Sequence, residues 1–354
     1  MISLSVSDII EKVRNGSRIS DSEARSLYTR ADLNALGDLA GEVRHRLHPG
    51  RTVTYVIDRN INYTNQCISG CKFCAYYCAP GEPRGYVLSR DELRKKIEET
   101  LALGGTQILL QGGLHPDLPL SFYEEMLQFI KDISDIHCHA FSPPEIIHFS
   151  GISGLSVRQV LKRLIAAGLD SIPGGGAEIL VDRVRRQIAP RKATAGQWLS
   201  VMEIAHELGL KTTATMMFGH LEQVEDRIEH LRRLRDLQDR TGGFTAFIPW
   251  PFQPGNTAID TRPATAQEYL RLLAVSRIFL DNIPGIQASW VTQGPRVAQI
   301  SLFFGANDFG STMIEENVVA AAGVSHRLSE AEIKHIVSGA GFKPRQRLMD
   351  YTLV

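Results

Sequence analysis

The stretch Ser89-Arg-Asp-Glu-Leu-Arg-Lys-Lys-Ile-Glu-Glu-Thr-Leu-Ala-Leu-Gly-Gly-Thr-Gln-Ile-Leu-Leu110 holds one whole structural unit. Ser89 and Glu92 have capping-box spacing, and Leu93, Ile97 and Leu101 recur at helical intervals. Gly104-Gly105 stops the helix, and Gln107-Ile-Leu-Leu110 is short, apolar and suited to a buried strand. The same helix-stop-strand phrase recurs downstream. Ser121-Phe-Tyr-Glu124 is expected to cap a helix before a strand at His137 to Phe141, and Ser156-Val-Arg-Gln159 one before Leu169 to Ile172. Helices over Gln197 to Leu208, Glu222 to Arg240, Ala266 to Leu280 and Gly294 to Leu302 precede strands at Lys211 to Met217, Phe244 to Ile248, Ile286 to Ser289 and Ala306 to Phe309. Upstream, Val53-Thr-Tyr-Val-Ile57 is β-branched and aromatic, a first strand. Regular alternation implies parallel strands, each returning through a crossover helix. Eight units predict a (β/α)8 TIM-type barrel, with a doubly wound open sheet as the alternative that alternation alone leaves open. The expected division is a helical extension over 1–50, the barrel over 51–312, and a helical C-terminal extension over 313–354 packed on the barrel.

The 354 residues are 43% hydrophobic and 22% charged, with zero formal net charge. Bulk charge therefore calls for neither a nucleic acid nor a membrane partner. No apolar run approaches the roughly 20 residues that span a bilayer. Met1-Ile-Ser-Leu-Ser-Val-Ser-Asp8 lacks the basic and apolar regions of a leader, so a cytoplasmic location is expected. Five cysteines, four of them between Cys67 and Cys78, argue for metal or redox chemistry over a disulfide framework.

Cys67, Cys71 and Cys74 form C-x3-C-x2-C directly after the first strand. Three thiolates on one glycine-containing loop can hold three irons of a [4Fe–4S] cube and leave the fourth open to a small molecule. The residues by themselves leave two other sets open. Zinc could take these cysteines with Cys78, or three ligands with His115, and a closed electron-transfer cluster could use Cys78 as fourth ligand.

The cysteine spacing, with Phe73 before the last cysteine, resembles the radical S-adenosylmethionine (SAM) superfamily. Further stretches narrow the resemblance: Asn62-Tyr-Thr-Asn65, Gln111-Gly-Gly-Leu-His-Pro116, Ser171-Ile-Pro-Gly-Gly-Gly-Ala-Glu-Ile179, Thr212-Thr-Ala-Thr-Met-Met-Phe-Gly-His220 and Phe247-Ile-Pro-Trp-Pro-Phe-Gln-Pro-Gly-Asn-Thr257. Together they are similar, from about Asn60 to Thr312, to the futalosine-pathway group. That group also contains the hydroxyphenyl-transferring enzymes of deazaflavin synthesis. The fourth- and sixth-strand stretches look most like the cyclic dehypoxanthine futalosine synthase family, with Cys78 standing where that family often has arginine.

The resemblance implies a [4Fe–4S] cluster on Cys67, Cys71 and Cys74, SAM as second cofactor, and a flavodoxin or ferredoxin as reductant. It implies dehypoxanthine futalosine as substrate, radical abstraction of its ribose C4′ hydrogen, and ring closure in menaquinone biosynthesis. Aminofutalosine synthesis and hydroxyphenyl transfer are the sister reactions. In a barrel, chemistry sits at the C-terminal strand ends. Gln111, Gly112 and Gly113 match the family's site for the methionine ammonium, where glycine would let backbone carbonyls come close. Tyr76 is placed to border the adenine. Glu178 and Arg185 are expected on the ammonium or ribose and on the carboxylate of SAM. His220 and Asp308 are the expected catalytic residues, His220 as base for the final proton. His115, Gln253 and Asn256 are further polar candidates for the substrate.

Overall fold

The computed structural model describes residues 5–354, so the first four residues of the N-terminal stretch read for a leader lie outside it. The first strand is longer than its apolar part: β1 (Thr52–Val56) runs through Ile57 into β2 (Asp58–Asn62). There follow β3 (Gln107–Gln111), β4 (His137–Ala140), β5 (Ser171–Ile172), β6 (Lys211–Phe218), β7 (Phe244–Pro251), β8 (Gly285–Ile286) and β9 (Asp308–Ser311). From β2 to β8 each strand pairs in parallel with the next.

The ring then closes. A parallel bridge joins Gln287 to Asp308, the Asn307 amide donates to Ile286 O (3.1 Å), and the Ala288 amide donates to Asp308 O (2.9 Å). β9 pairs in turn with β1, and the Thr312 amide reaches Val56 O at 3.0 Å. With β1 and β2 counted as one bent strand, this is the eight-stranded parallel barrel expected from the alternation, and the open-sheet alternative falls.

The crossover helices follow the sequence signals closely. Ser89 and Glu92 cap the helix Arg90–Ala102 reciprocally, as Ser156 and Gln159 do for Val157–Ala167. The helix before β4 is a correction. It spans Leu120–Ile133 with Pro119 at its N-cap, so Ser121 lies inside the first turn, and Glu124 pairs with Arg163 instead. Two helices were not anticipated. Pro143–Ser153 opens with two prolines behind a Ser142/Glu145 capping box, and Asp182–Ile188 is too short to show a periodic face. The helix Trp290–Ser301 bends at Gly294-Pro295, where Gly294 takes φ 78° and Pro295 can donate no amide hydrogen.

Three helices, Val6–Arg14, Asp21–Arg30 and Leu33–Leu47, precede the barrel. The last buries Leu36, Leu39, Ala40 and Val43, each side chain of leucine or valine size contributing about 1.5–3 kcal/mol. At the other end of the chain lies β10 (Lys343–Gln346), which pairs in parallel with Thr52 to Tyr55 on the edge of β1 away from β9. No apolar alternation announces Lys343-Pro-Arg-Gln346. Beyond it, the Arg347 amide donates to Tyr55 O (2.9 Å) and the chain turns under the barrel. No described helix is long and apolar enough to cross a membrane.

Candidate active site

One cavity of about 430 Å3 occupies the barrel, from the loop after β2 down to the C-terminal tail. Cys67, Cys71 and Cys74 all line it and are half-buried. Their loop is fixed by backbone hydrogen bonds on several sides. The Cys67 amide donates to Cys78 O (2.9 Å), the Ile68 amide to Leu114 O (2.9 Å), and the Lys72 amide to Ile188 O (2.8 Å). Gly70 takes φ 57°, the turn the loop needs, with the Arg191 guanidinium packed on the side where a Cβ would be.

Cys78 belongs to the scaffold. Its side chain is buried, its sulfur lies 3.6 Å from Ala79 O and 3.8 Å from Glu82, and it is not part of the cavity wall. His115 is likewise turned away, its Nδ1 accepting the Asp117 amide (3.2 Å). Three cysteines on the wall of one cavity, with Cys78 and His115 outside it, fit a cluster with an open corner. Burial pushes the Cys71 thiol up and the Cys74 thiol up to about 11, while the nearby Lys192 ammonium pulls both down. Ser69 Oγ lies 3.2 Å from Cys71 Sγ and can donate to that sulfur once it is a thiolate ligand.

Gln111, Gly112 and Gly113 line the cavity at the end of β3. Their glycines also serve close packing. A Cβ on Gly113 would run into Gln66 O and sit 2.9 Å from the Cys67 Cβ, and one on Gly112 would run into the Tyr63 ring. These glycines let the cluster loop lie directly on β3. Gly113→Ala is therefore expected to push Gln66 and Cys67 outward, costing about 1–3 kcal/mol and lowering iron content. Thermal melting and iron per chain measure both effects.

Glu178 also faces the cavity, held at φ 45° by the turn after β5. It pairs with Lys192 (Nζ to Oε1, 2.7 Å), whose ammonium lies 5.1 Å from the centre of the Phe73 ring. Burial alone would lower the Lys192 pKa, but Glu178 and Cys71 outweigh it and hold the lysine charged. Lys192 carries no motif, and Ala189-Pro-Arg-Lys192 reads as an exposed connection. Tyr76 lines the cavity with its hydroxyl on that of Tyr86, which donates to Asn62 O (2.9 Å).

Three expected residues stand apart from the cavity wall. Arg185 is buried and spends its donors on backbone carbonyls, including Gly176 (3.1 Å), Ile179 (3.3 Å) and Ala193 (3.0 Å), so it staples the glycine turn that presents Glu178. His220 accepts the Leu221 amide at Nδ1 (2.7 Å), lies 3.1 Å from both Met217 O and Glu222, and is held neutral by burial. Asp308 sits at the barrel floor, where it accepts from Thr54 Oγ1 (2.5 Å), the Gly310 amide (2.7 Å) and two nitrogens of Arg347. Its effect is to hold Arg347, which does line the cavity. Gln253 and Asn256 bond to Pro251 O and Ala321 O.

Polar side chains are set among the apolar ones that line the barrel interior. Asp58, Gln107, His139, Thr213, Gln287 and Arg347 all face the cavity. Asp58, Asn60 and Asn62 alternate along β2, as Thr213 and Thr215 do along β6, while Gln107 and Gln111 flank Leu109 on the inner face of β3. Polar side chains at period two on successive strands are the signal that could have located this lining, because such positions share one face of each strand.

A three-thiol loop at the C-terminal mouth of a closed parallel barrel, above a deep cavity, fits a barrel enzyme built around an iron–sulfur cluster with an open iron. Residues 61–234 match the model of the Radical SAM superfamily, and residues 241–354 that of the CofH/MqnC C-terminal region. The chain is 46% identical to the cyclic dehypoxanthine futalosine synthase of Halalkalibacterium halodurans, over 99% of this chain and 95% of that protein. It is 47% identical to the same-named protein of Streptomyces coelicolor, over 97% and 87%. The 5-amino-6-(D-ribitylamino)uracil–L-tyrosine 4-hydroxyphenyl transferase of Archaeoglobus fulgidus is 42% identical over 89% and 92%. Among solved structures, the hydrogenase maturase HydG of Carboxydothermus hydrogenoformans superposes with a TM-score of 0.76 at 19% identity, over 98% of this chain and 80% of that one. Methylornithine synthase superposes with 0.73 at 18% identity, over 95% and 97%. The chain belongs to the radical SAM superfamily, in its CofH/MqnC group, and uses a [4Fe–4S] cluster and SAM.

Proposed function

We propose that this enzyme converts dehypoxanthine futalosine to cyclic dehypoxanthine futalosine, a step of menaquinone biosynthesis. The observation that carries the reading is similarity along essentially the whole chain, at 46–47% identity, to two proteins of that name. Cys67, Cys71 and Cys74 would hold the cluster, with Cys78 outside it. Gln111, Tyr76, Glu178 and Lys192 border the space beside them, where SAM would lie. The chemistry that cluster and SAM would supply when bound there is radical hydrogen abstraction, here from the ribose C4′ position.

The chain's own residues then position and enclose. Ile248, Trp250 and Trp290 give the cavity an apolar wall that sheds water from a reactive intermediate. Among the described residues, Lys192 and Arg347 are the two lysine or arginine side chains on the wall of the cavity. Lys192 belongs to the cysteine end and is paired with Glu178. Arg347 lies at the floor, and its three hydrogen-bonded donors leave two N–H groups for a ligand. A substrate with a ribose at one end and a benzoate at the other suits this polarity, the ribose near SAM and the carboxylate on Arg347. The electron donor fits as a low-potential flavodoxin or ferredoxin, and exposed Lys72, Arg186 and Arg191 near the cysteine loop favour an acidic one.

Anaerobic turnover with dithionite, SAM and dehypoxanthine futalosine tests the reading. The expected product is two hydrogens lighter than the substrate, formed with 5′-deoxyadenosine. Deoxyadenosine and cyclised product both missing, with turnover on a sister substrate instead, would replace this reading by that sister activity.

A further inference from the structure

Closing the spirocycle leaves a ring that must lose a proton, and His220, the base expected from the sequence, stands apart from the cavity wall. Another histidine does face the cavity. His139 projects from β4 into the barrel, and its Nδ1 lies 2.7 Å from Ser171 Oγ on β5. The same Ser171 Oγ lies 2.7 Å from His137 Nε2, two residues earlier on β4. Ser171 is fully buried, whereas His137 is half-buried towards the N-terminal end of the barrel. A continuous hydrogen-bonded chain thus runs from the cavity wall towards the barrel's N-terminal rim.

We propose that the proton lost as the substrate ring regains aromaticity leaves through His139, Ser171 and His137. This rests on the cyclase reading above. The direction of the chain follows from its neighbours. Thr213 Oγ1 accepts the Gly174 amide (3.0 Å) and has His139 Nε2 at 3.4 Å for its single proton. His139 Nε2 is then the acceptor, Nδ1–H donates to Ser171, and the Ser171 hydroxyl donates to His137 Nε2. The Thr213 contact is long, so a ring C–H can take its place at Nε2.

In the step, the ring C–H breaks and its proton goes to His139 Nε2. The bonding pair stays in the ring, and the unpaired electron returns to the iron–sulfur cluster oxidised when SAM was cleaved. The Nδ1 proton of His139 passes to Ser171 Oγ, and the proton of Ser171 passes to His137 Nε2. No charge has to rest on His139, which suits its surroundings: burial first, then His137 and Arg347, hold its pKa down at about 3. His137 is also lowered by burial but has Asp170 and Asp350 nearby to favour its charged form, against Lys131.

The test uses the reconstituted enzyme and two readouts. In wild-type protein labelled with 15N-histidine, both rings are expected to carry their proton on Nδ1, and Ser171→Ala is expected to shift both sets of signals. In turnover, Ser171→Ala and His139→Gln are expected to lower cyclised product per deoxyadenosine by about a hundredfold, the usual worth of a general base, and to accumulate an organic radical signal. A purely structural His–Ser–His contact would move neither the product ratio nor the radical signal. An Nε2–H tautomer at His139, or unchanged ratios in variants of a wild type that cyclises, would overturn the relay alone. A wild type that forms no cyclised product would overturn the relay together with the cyclase reading.

Discussion

Single replacement of Cys67, Cys71 or Cys74 by alanine is expected to abolish the [4Fe–4S] cluster and with it all 5′-deoxyadenosine formation, while Cys78→Ala keeps about four irons per chain. The contrast follows from where the four cysteines lie. The first three share the cavity wall, and Cys78 lies buried against Ala79 and Glu82. Iron analysis and the visible spectrum of anaerobically reconstituted protein read the outcome before any substrate is added. Loss of the cluster in Cys78→Ala, with that variant folded as judged by circular dichroism, would instead make Cys78 a fourth ligand and close the corner that SAM needs.

The second large effect is expected at the barrel floor. Arg347 and Asp308 are both buried and joined through two nitrogens and two oxygens. Arg347→Met would strand the Asp308 carboxylate with only Thr54 and the Gly310 amide as partners, an imbalance worth about 3–5 kcal/mol. Adding Asp308→Asn removes the stranded charge, so the double variant is expected to recover much of that loss in chemical denaturation. Arg347→Lys keeps the charge but not the two-pronged geometry, and is expected to raise KM for the substrate more than it lowers kcat. Equal denaturation midpoints for Arg347→Met and wild type would show that the pair does not anchor the tail.

Much of this architecture was legible because its determinants are local. A capping serine three residues before Glu92 or Gln159, an apolar helical face and a glycine stop lie within twenty or so residues of each other, and the barrel is that phrase repeated. The three-cysteine loop was legible for the same reason, since three thiols on one short loop carry their placement in their spacing. The floor was not. Arg347, Met349 and Tyr351 reach the cavity only because β10, a polar strand with a proline, pairs with β1 nearly three hundred residues upstream. Lys192 was missed for a similar reason: its meaning comes from Glu178 and Cys71, not from its sequence neighbours.

Arg185, His220 and Asp308 show the converse. A polar residue near a strand end need not face the cavity, because nearby hydrogen bonds set its direction. Carbonyls of the glycine turn capture Arg185, the Leu221 amide and Met217 O capture His220, and Arg347 captures Asp308. The glycines at positions 112 and 113 carry a packing task that the motif alone does not announce. They seat the cluster loop on β3.

The most direct test of the account is turnover of dehypoxanthine futalosine carrying deuterium only at the ribose C4′ position. The account predicts one deuterium in 5′-deoxyadenosine, none in the cyclised product, and one deoxyadenosine formed per product. Cyclised product formed alongside deoxyadenosine that contains no deuterium would contradict it, because hydrogen abstraction would then occur elsewhere on the substrate.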